Sequence, residues 1–168
     1  LGWLFTVHEV MDWDDWRVKV RTHPKLLMLL VHTDEVMGAR VLEIGHEDLL
    51  TAAEIRADVS GGAGQPQLLL LIGCSAADVQ KSFQPYPERF RKAGVSIVLA
   101  PIAPVRGEEA VRIARLIAQR IVEQTAAPQA VPFGELLPRL RRELLGLGHP
   151  AVLGLVGFGD GDWQIGGA

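Results

Sequence analysis

An α/β fold with a mainly parallel sheet flanked by helices is what this sequence predicts, and three observations predict it. Three short aliphatic runs, Lys25 to Val31, Leu68 to Ile72 and Val95 to Ala100, lack the three-to-four spacing of an amphipathic helix. Runs of that length, almost wholly apolar, read as strands buried on both faces. Helix-patterned segments separate and follow them, and alternation of the two kinds indicates a parallel sheet with helices on both sides. The 168 residues, 48% hydrophobic and 22% charged, suffice for one compact domain spanning 1–168 with its own core.

Taken in order, Leu4 to Val10 is expected to form a short strand. Met11 to Thr22 spaces Trp13, Trp16 and Val20 three and four apart, with Asp12, Asp14 and Asp15 at the start where acids favour the helix dipole, so it predicts a helix that His23-Pro24 ends. The Lys25 to Val31 strand is followed by a turn through Gly38, a strand over Ala39 to Ile44 and a loop at Gly45 and His46. Thr51-Ala-Ala-Glu54 has the form of a capping box opening a short helix, and Ser60 to Pro66 reads as a linker. Its glycines precede a strand instead of opening a helix, the wrong context for a phosphate loop.

After the Leu68 to Ile72 strand, Ser75 to Tyr86 reads as a loop with short helices, and Pro87 to Ala93 as a helix closed by Gly94. Glu108 to Gln124 is the longest predicted helix, with a broad apolar face. A second spans Pro132 to Leu145, where Pro138 is expected to break or kink it. Ala151 to Phe158 closes the pattern as a strand, and Gly159 to Asp162 as a turn.

Composition excludes several function classes. A formal net charge of −3 gives no electrostatic argument for nucleic acid. A single cysteine forms no internal disulfide and leaves no cysteine pair for zinc, and His8, His23, His46 and His149 show no metal spacing; neither metal nor cofactor is expected. That cysteine usage suits a reducing cytoplasm. No apolar stretch reaches the roughly 18 residues of a membrane span. Beginning at Leu1 with no basic leader, the chain is expected to be a segment of a longer protein.

The chemistry-bearing residues follow two of the buried strands. His32 follows Lys25 to Val31, and Cys74 follows Leu68 to Gly73. In open parallel sheets ligands gather at the C-terminal edge, because loops converge there while the sheet stays rigid. A lone cysteine after an apolar strand is ordinarily a small buried hydrophobe. A histidine at the neighbouring strand end changes its meaning, since an imidazole can take the thiol proton, raise the thiolate fraction and return the proton to a leaving amine.

The order of blocks resembles a known family: strand-His32, a small strand and helix, strand-Gly73-Cys74, then Phe90-Arg-Lys-Ala-Gly-Val-Ser-Ile-Val-Leu-Ala-Pro101, two helices, and a closing Val-Gly-Phe-Gly-Asp-Gly-Asp-Trp163. Over about Lys25 to Ile165 the chain is similar to the CHAT domain, a prokaryotic relative of caspases, gingipains and separases. That resemblance implies a caspase-like three-layer sandwich and cysteine endopeptidase activity on a protein or peptide substrate. His32 matches the catalytic histidine and Cys74 the nucleophile. The oxyanion-hole amides fall at Thr33, where the family usually has Gly, and at Cys74 itself.

The stretch Ile102, Ala103, Pro104 and Val105 corresponds to the segment that pairs with extended substrate. Relatives often select a charged residue at the cleaved bond, which singles out Asp34 and Asp78 beside the catalytic positions. The resemblance also implies an attached or associated sensor or repeat domain and a role in bacterial defence or signalling. Gating is expected through ordering of Thr33 to Gly38 and Ser75 to Tyr86. The alternative is a caspase-like module whose His and Cys are catalytically silent and which binds or regulates a partner.

Overall fold

The computed structural model describes residues 9–36, 39–44, 48–61, 68–73, 85–103, 105 and 107–167. In chain order the elements are α1 (Trp13–Val20), β1 (Leu26–Val36), β2 (Ala39–Ile44), β3 (Asp48–Thr51), α2 (Ala57–Ser60), β4 (Leu68–Gly73), α3 (Pro85–Lys92), β5 (Ile97–Pro101), α4 (Gly107–Thr125), β6 (Val131–Pro132), α5 (Phe133–Gly146), β7 (Leu155–Gly159) and β8 (Gln164–Ile165). Short 3-10 helices, Ala52–Glu54 and Pro150–Gly154, precede α2 and β7.

The protein is α/β, but its six-stranded sheet, ordered β3-β2-β1-β4-β5-β7, is mixed where a mainly parallel one was expected. Only β1–β4 and β4–β5 pair parallel; β1–β2, β2–β3 and β5–β7 pair antiparallel. Connection length explains the first two exceptions. Two positions separate Val36 from Ala39 and three separate Ile44 from Asp48, far fewer than the dozen or so residues a parallel crossover requires. The third follows from where the chain returns: the Ile102 N–H donates to the Gly154 carbonyl at 2.8 Å, so β7 starts beside the end of β5, with Leu155 opposite Pro101.

The other differences are local. β1 does not stop at Val31 but continues to Val36, because after the last β1–β4 pair, Val31 with Gly73, the strand goes on pairing with β2. Thr33 to Val36, expected as part of a gating loop, is therefore strand. Pro138 lies inside α5 without breaking it. The run expected as a strand from Ala151 begins as a 3-10 helix, with Pro150 in its first turn, and becomes strand only at Leu155. β6 and β8 form a separate two-stranded pair that the sequence reading did not contain. The strand expected from Leu4 falls mostly outside the described residues.

Two cores form, one on each face. Leu27, Leu29, Val31, Leu69, Leu71, Val98 and Ala100 project to one side and meet Trp13 and Trp16 of α1, Val59 of α2 and Tyr86 and Phe90 of α3. The alternate residues Leu68, Leu70, Ile72, Ile97 and Leu99 meet Ala110, Ile113, Ala114 and Ile117 of α4 and Phe133, Leu137 and Leu140 of α5. β4 is buried at all six positions, as its unbroken apolar sequence requires. On the first face Trp13 and Trp16 pack edge to face, with centroids 6.1 Å apart, and Trp16 Nε1 donates to the Val59 carbonyl at 2.7 Å.

The β5–β7 pairing depends on a glycine. Gly159, opposite Ile97, has φ +143, and a Cβ there would meet the Ser96 carbonyl oxygen and stand 2.8 Å from Ile97 Cδ1. Gly159→Ala is expected to lower stability by about 1–3 kcal/mol or more, from backbone strain plus the clash. A urea melt read by far-UV circular dichroism checks it.

Candidate active site

Parallel pairing of β1, β4 and β5 brings their C-terminal ends to one edge of the sheet. The β1–β4 register runs from Leu26 opposite Leu68 to Val31 opposite Gly73. His32 and Cys74 are the residues next in sequence after that last pair. Cys74 lies outside the described residues. His32 is exposed, and it belongs to the sheet face that carries Leu26, Met28 and Leu30, opposite the face of Leu27, Leu29 and Val31.

Beyond Val31, the pairing of β1 with β2 sets what flanks the histidine. His32 stands opposite Glu43, and Glu43 opposite Leu49 on β3, so the three form a row across one face. Directly opposed residues of antiparallel strands project to the same side. Glu43 is half-buried and Leu49 exposed. Thr33 and Asp34 lie inside β1, opposite Leu42 and Val41.

At the end of β5, Ile102 is 62% exposed and Ala103 is exposed, whereas Val105 is buried in the α4–α5 core. The exposed pair is open to a passing chain; Val105, expected to line the substrate path, is not. Pro104 and Asp78, like Cys74, lie outside the described residues.

The chain matches no family model and no curated protein. Function is therefore read from geometry. Among the described residues no cluster of three His, Cys, Asp or Glu side chains is arranged to hold a metal, and no helix is long and apolar enough to cross a membrane. A cavity of about 660 Å³ lies elsewhere, lined by Gly107, Glu108, Glu109 and Arg112 of α4 and by Leu147, Gly148 and His149. None of the candidate residues lines it.

Glu43 is the cross-strand neighbour of His32 that sequence reasoning did not single out. The turn after Val36 pairs 36 with 39 and, counting back, 32 with 43, so hairpin counting carries the signal. The far side of the row is anchored where β3 ends. Thr51 N–H and Thr51 Oγ1 both donate to Glu54 Oε2 at 2.8 Å, and this pair holds the Glu54 carboxyl below the usual carboxylate range, with the backbone bond the larger cause.

A carboxyl with a lowered folded-state pKa contributes stability above its unfolded pKa, and that contribution is lost as pH falls through the folded value. Thermal melts between pH 7 and pH 3 are expected to show Glu54→Gln less stable than the parent at pH 7. The gap should narrow in acid, once the parent's own carboxyl is protonated.

Proposed function

We propose that the chain is a caspase-like cysteine endopeptidase of the CHAT type, using His32 and Cys74 on a protein or peptide substrate in a reducing cytoplasm. What supports this most directly is the β1–β4 register: two neighbouring parallel strands end their pairing at Val31 and Gly73, and an imidazole and the chain's only thiol follow at the next positions. Neighbouring strands lie about 4.8 Å apart, within the range at which two such side chains share a proton. The exposure of His32 leaves its ring open to solvent and substrate.

In this reading His32 accepts the Cys74 thiol proton, and the thiolate attacks the scissile carbonyl carbon. The negative charge on the carbonyl oxygen is met by backbone N–H groups, those of Cys74 and Thr33 being the candidates. The imidazolium then protonates the departing amine as the C–N bond breaks, leaving a thioester. Water, losing a proton to His32, attacks the thioester, and the acid product leaves with the thiol restored. Ile102 and Ala103, exposed at the end of β5, border the path of an extended substrate, and Asp34 and Asp78 are its candidate charge selectors.

The chain has one cysteine, so any thiol label reports Cys74 alone. Labelling by a peptide chloromethylketone at pH 7 is expected to be fast in the parent and markedly slower in His32→Ala, with peptide hydrolysis falling by about 10²–10⁴-fold. Equal labelling rates in parent and variant would instead favour a silent caspase-like module that regulates a partner.

A further inference from the structure

We infer that Arg141 is a guard on the outer edge of β7, holding the sheet closed to strand addition by a second copy of this chain. The inference is independent of the peptidase reading above. Among the described strands, β7 pairs with β5 alone and closes one end of the six-stranded order. The unpaired main-chain groups of such a strand are a template for another strand, and a charged side chain on the edge is a common defence.

Register decides which groups face outward. The Ile102 N–H donates to the Gly154 carbonyl at 2.8 Å, and Cα partners then run from Pro101 opposite Leu155 to Ile97 opposite Gly159. In an antiparallel ladder hydrogen-bonded and non-hydrogen-bonded pairs alternate, so Val156 and Phe158 turn their N–H and C=O groups to β5. Leu155, Gly157 and Gly159 turn theirs outward. Pro101, which lacks an N–H, stands opposite Leu155, where the ladder requires none.

Leu155 is the outward residue already taken. Its N–H donates to the Val152 carbonyl of the preceding 3-10 turn, and its carbonyl accepts from Arg141 Nη2 of α5. α5 lies close enough for this because Gly157 has no side chain: a Cβ there would stand 2.7 Å from Phe133 Cε1 and 3.3 Å from Leu137 Cδ2. Arg141 follows Leu137 by one helical turn and so reaches the strand beside Gly157. Arg139 and Arg112 pair with Glu135 and Glu108 in solvent, whereas Arg141 Nε is buried with no acceptor among the described residues. Burying that donor carries a cost, which the solvent-facing arginines avoid.

A second copy is the occupant whose register this edge fits. Two β7 strands related by a two-fold axis at Gly157 pair antiparallel, Gly157 with its counterpart and each Leu155 with the other copy's Gly159. The outward groups of Gly157 have no partner among the described residues and are free to join such a ladder. In that register each Leu155 carbonyl must accept the other copy's Gly159 N–H, and Arg141 occupies that carbonyl. The same axis brings the two copies' Arg141 side chains to one interface, like charge against like. With the guard in place the Gly157 pair stands alone, too little to hold two molecules together.

Sedimentation equilibrium of the intact chain, with a reductant to keep its one thiol free, tests this alongside hydrogen exchange of the Gly157 amide followed by NMR. The parent is expected to stay monomeric, with Gly157 exchanging at a rate independent of protein concentration. Arg141→Ala is expected to dimerise at least about tenfold more tightly, with Gly157 protected as the dimer forms. Arg141→Lys, which keeps a cation at the edge, should stay close to the parent. Should Arg141→Ala fail to fold, Arg141→Met, which keeps the apolar stem and loses the donors, takes its place. A folded variant as monomeric as the parent overturns the inference, as does association that leaves the Gly157 amide unprotected. A parent that itself dimerises with Gly157 protected overturns it too.

Discussion

The pairing of β1 with β4 is the constraint on which the rest of the structure depends. Six consecutive residue pairs lock these strands in parallel, and every residue of β4 is buried. With side chains alternating between two packed cores, a slip of one residue would exchange Leu69 and Leu71 with Leu70 and Ile72 and misplace both sets against α1–α3 and α4–α5. The register is fixed by packing on both faces, and it brings Val31 and Gly73, the residues just ahead of His32 and Cys74, to a common edge.

β1 does two jobs along its length. Its first six residues are a strand of the parallel core; from His32 onward it is one arm of an antiparallel hairpin whose other arm is β2. His32 stands at the junction. A histidine on a flexible loop would have to be ordered before its ring could meet a partner, whereas one held in a ladder has its backbone fixed by pairing with Glu43 and its neighbours. The short Val36-to-Ala39 connection sets that ladder antiparallel and is one of the features that make the sheet mixed.

Much of this was legible in the sequence, for physical reasons that differ by element. Leu68 to Ile72 and, within Val95 to Ala100, the stretch from Ile97 are recognisable because total burial leaves no polar residue there, and α4 because its apolar face repeats over a long stretch. β3, β6 and β8 were missed since strands of two to four residues carry too little periodicity to be seen. The mixed sheet was missed because strand direction depends on connection length, which the apolar runs do not encode. Around the candidate site, the strand that carries His32 and the strand ahead of Cys74 were readable from local pattern, but the pairing of His32 with Glu43 was not. An acid in a half-buried strand has no local mark, and its relation to His32 exists only once the hairpin register is known.

One measurement tests the central claim most directly, because it needs no substrate. His32→Cys gives the chain two cysteines, the new one on β1 and the native Cys74 after β4. If the register brings these positions side by side, mild oxidation of the dilute protein will consume both thiols in an intramolecular disulfide, since adjacent strands put the α-carbons within the roughly 4.4–6.8 Å that such a bond requires. Two thiols that stay free under oxidation, or that react only between molecules to give dimers, would contradict the account.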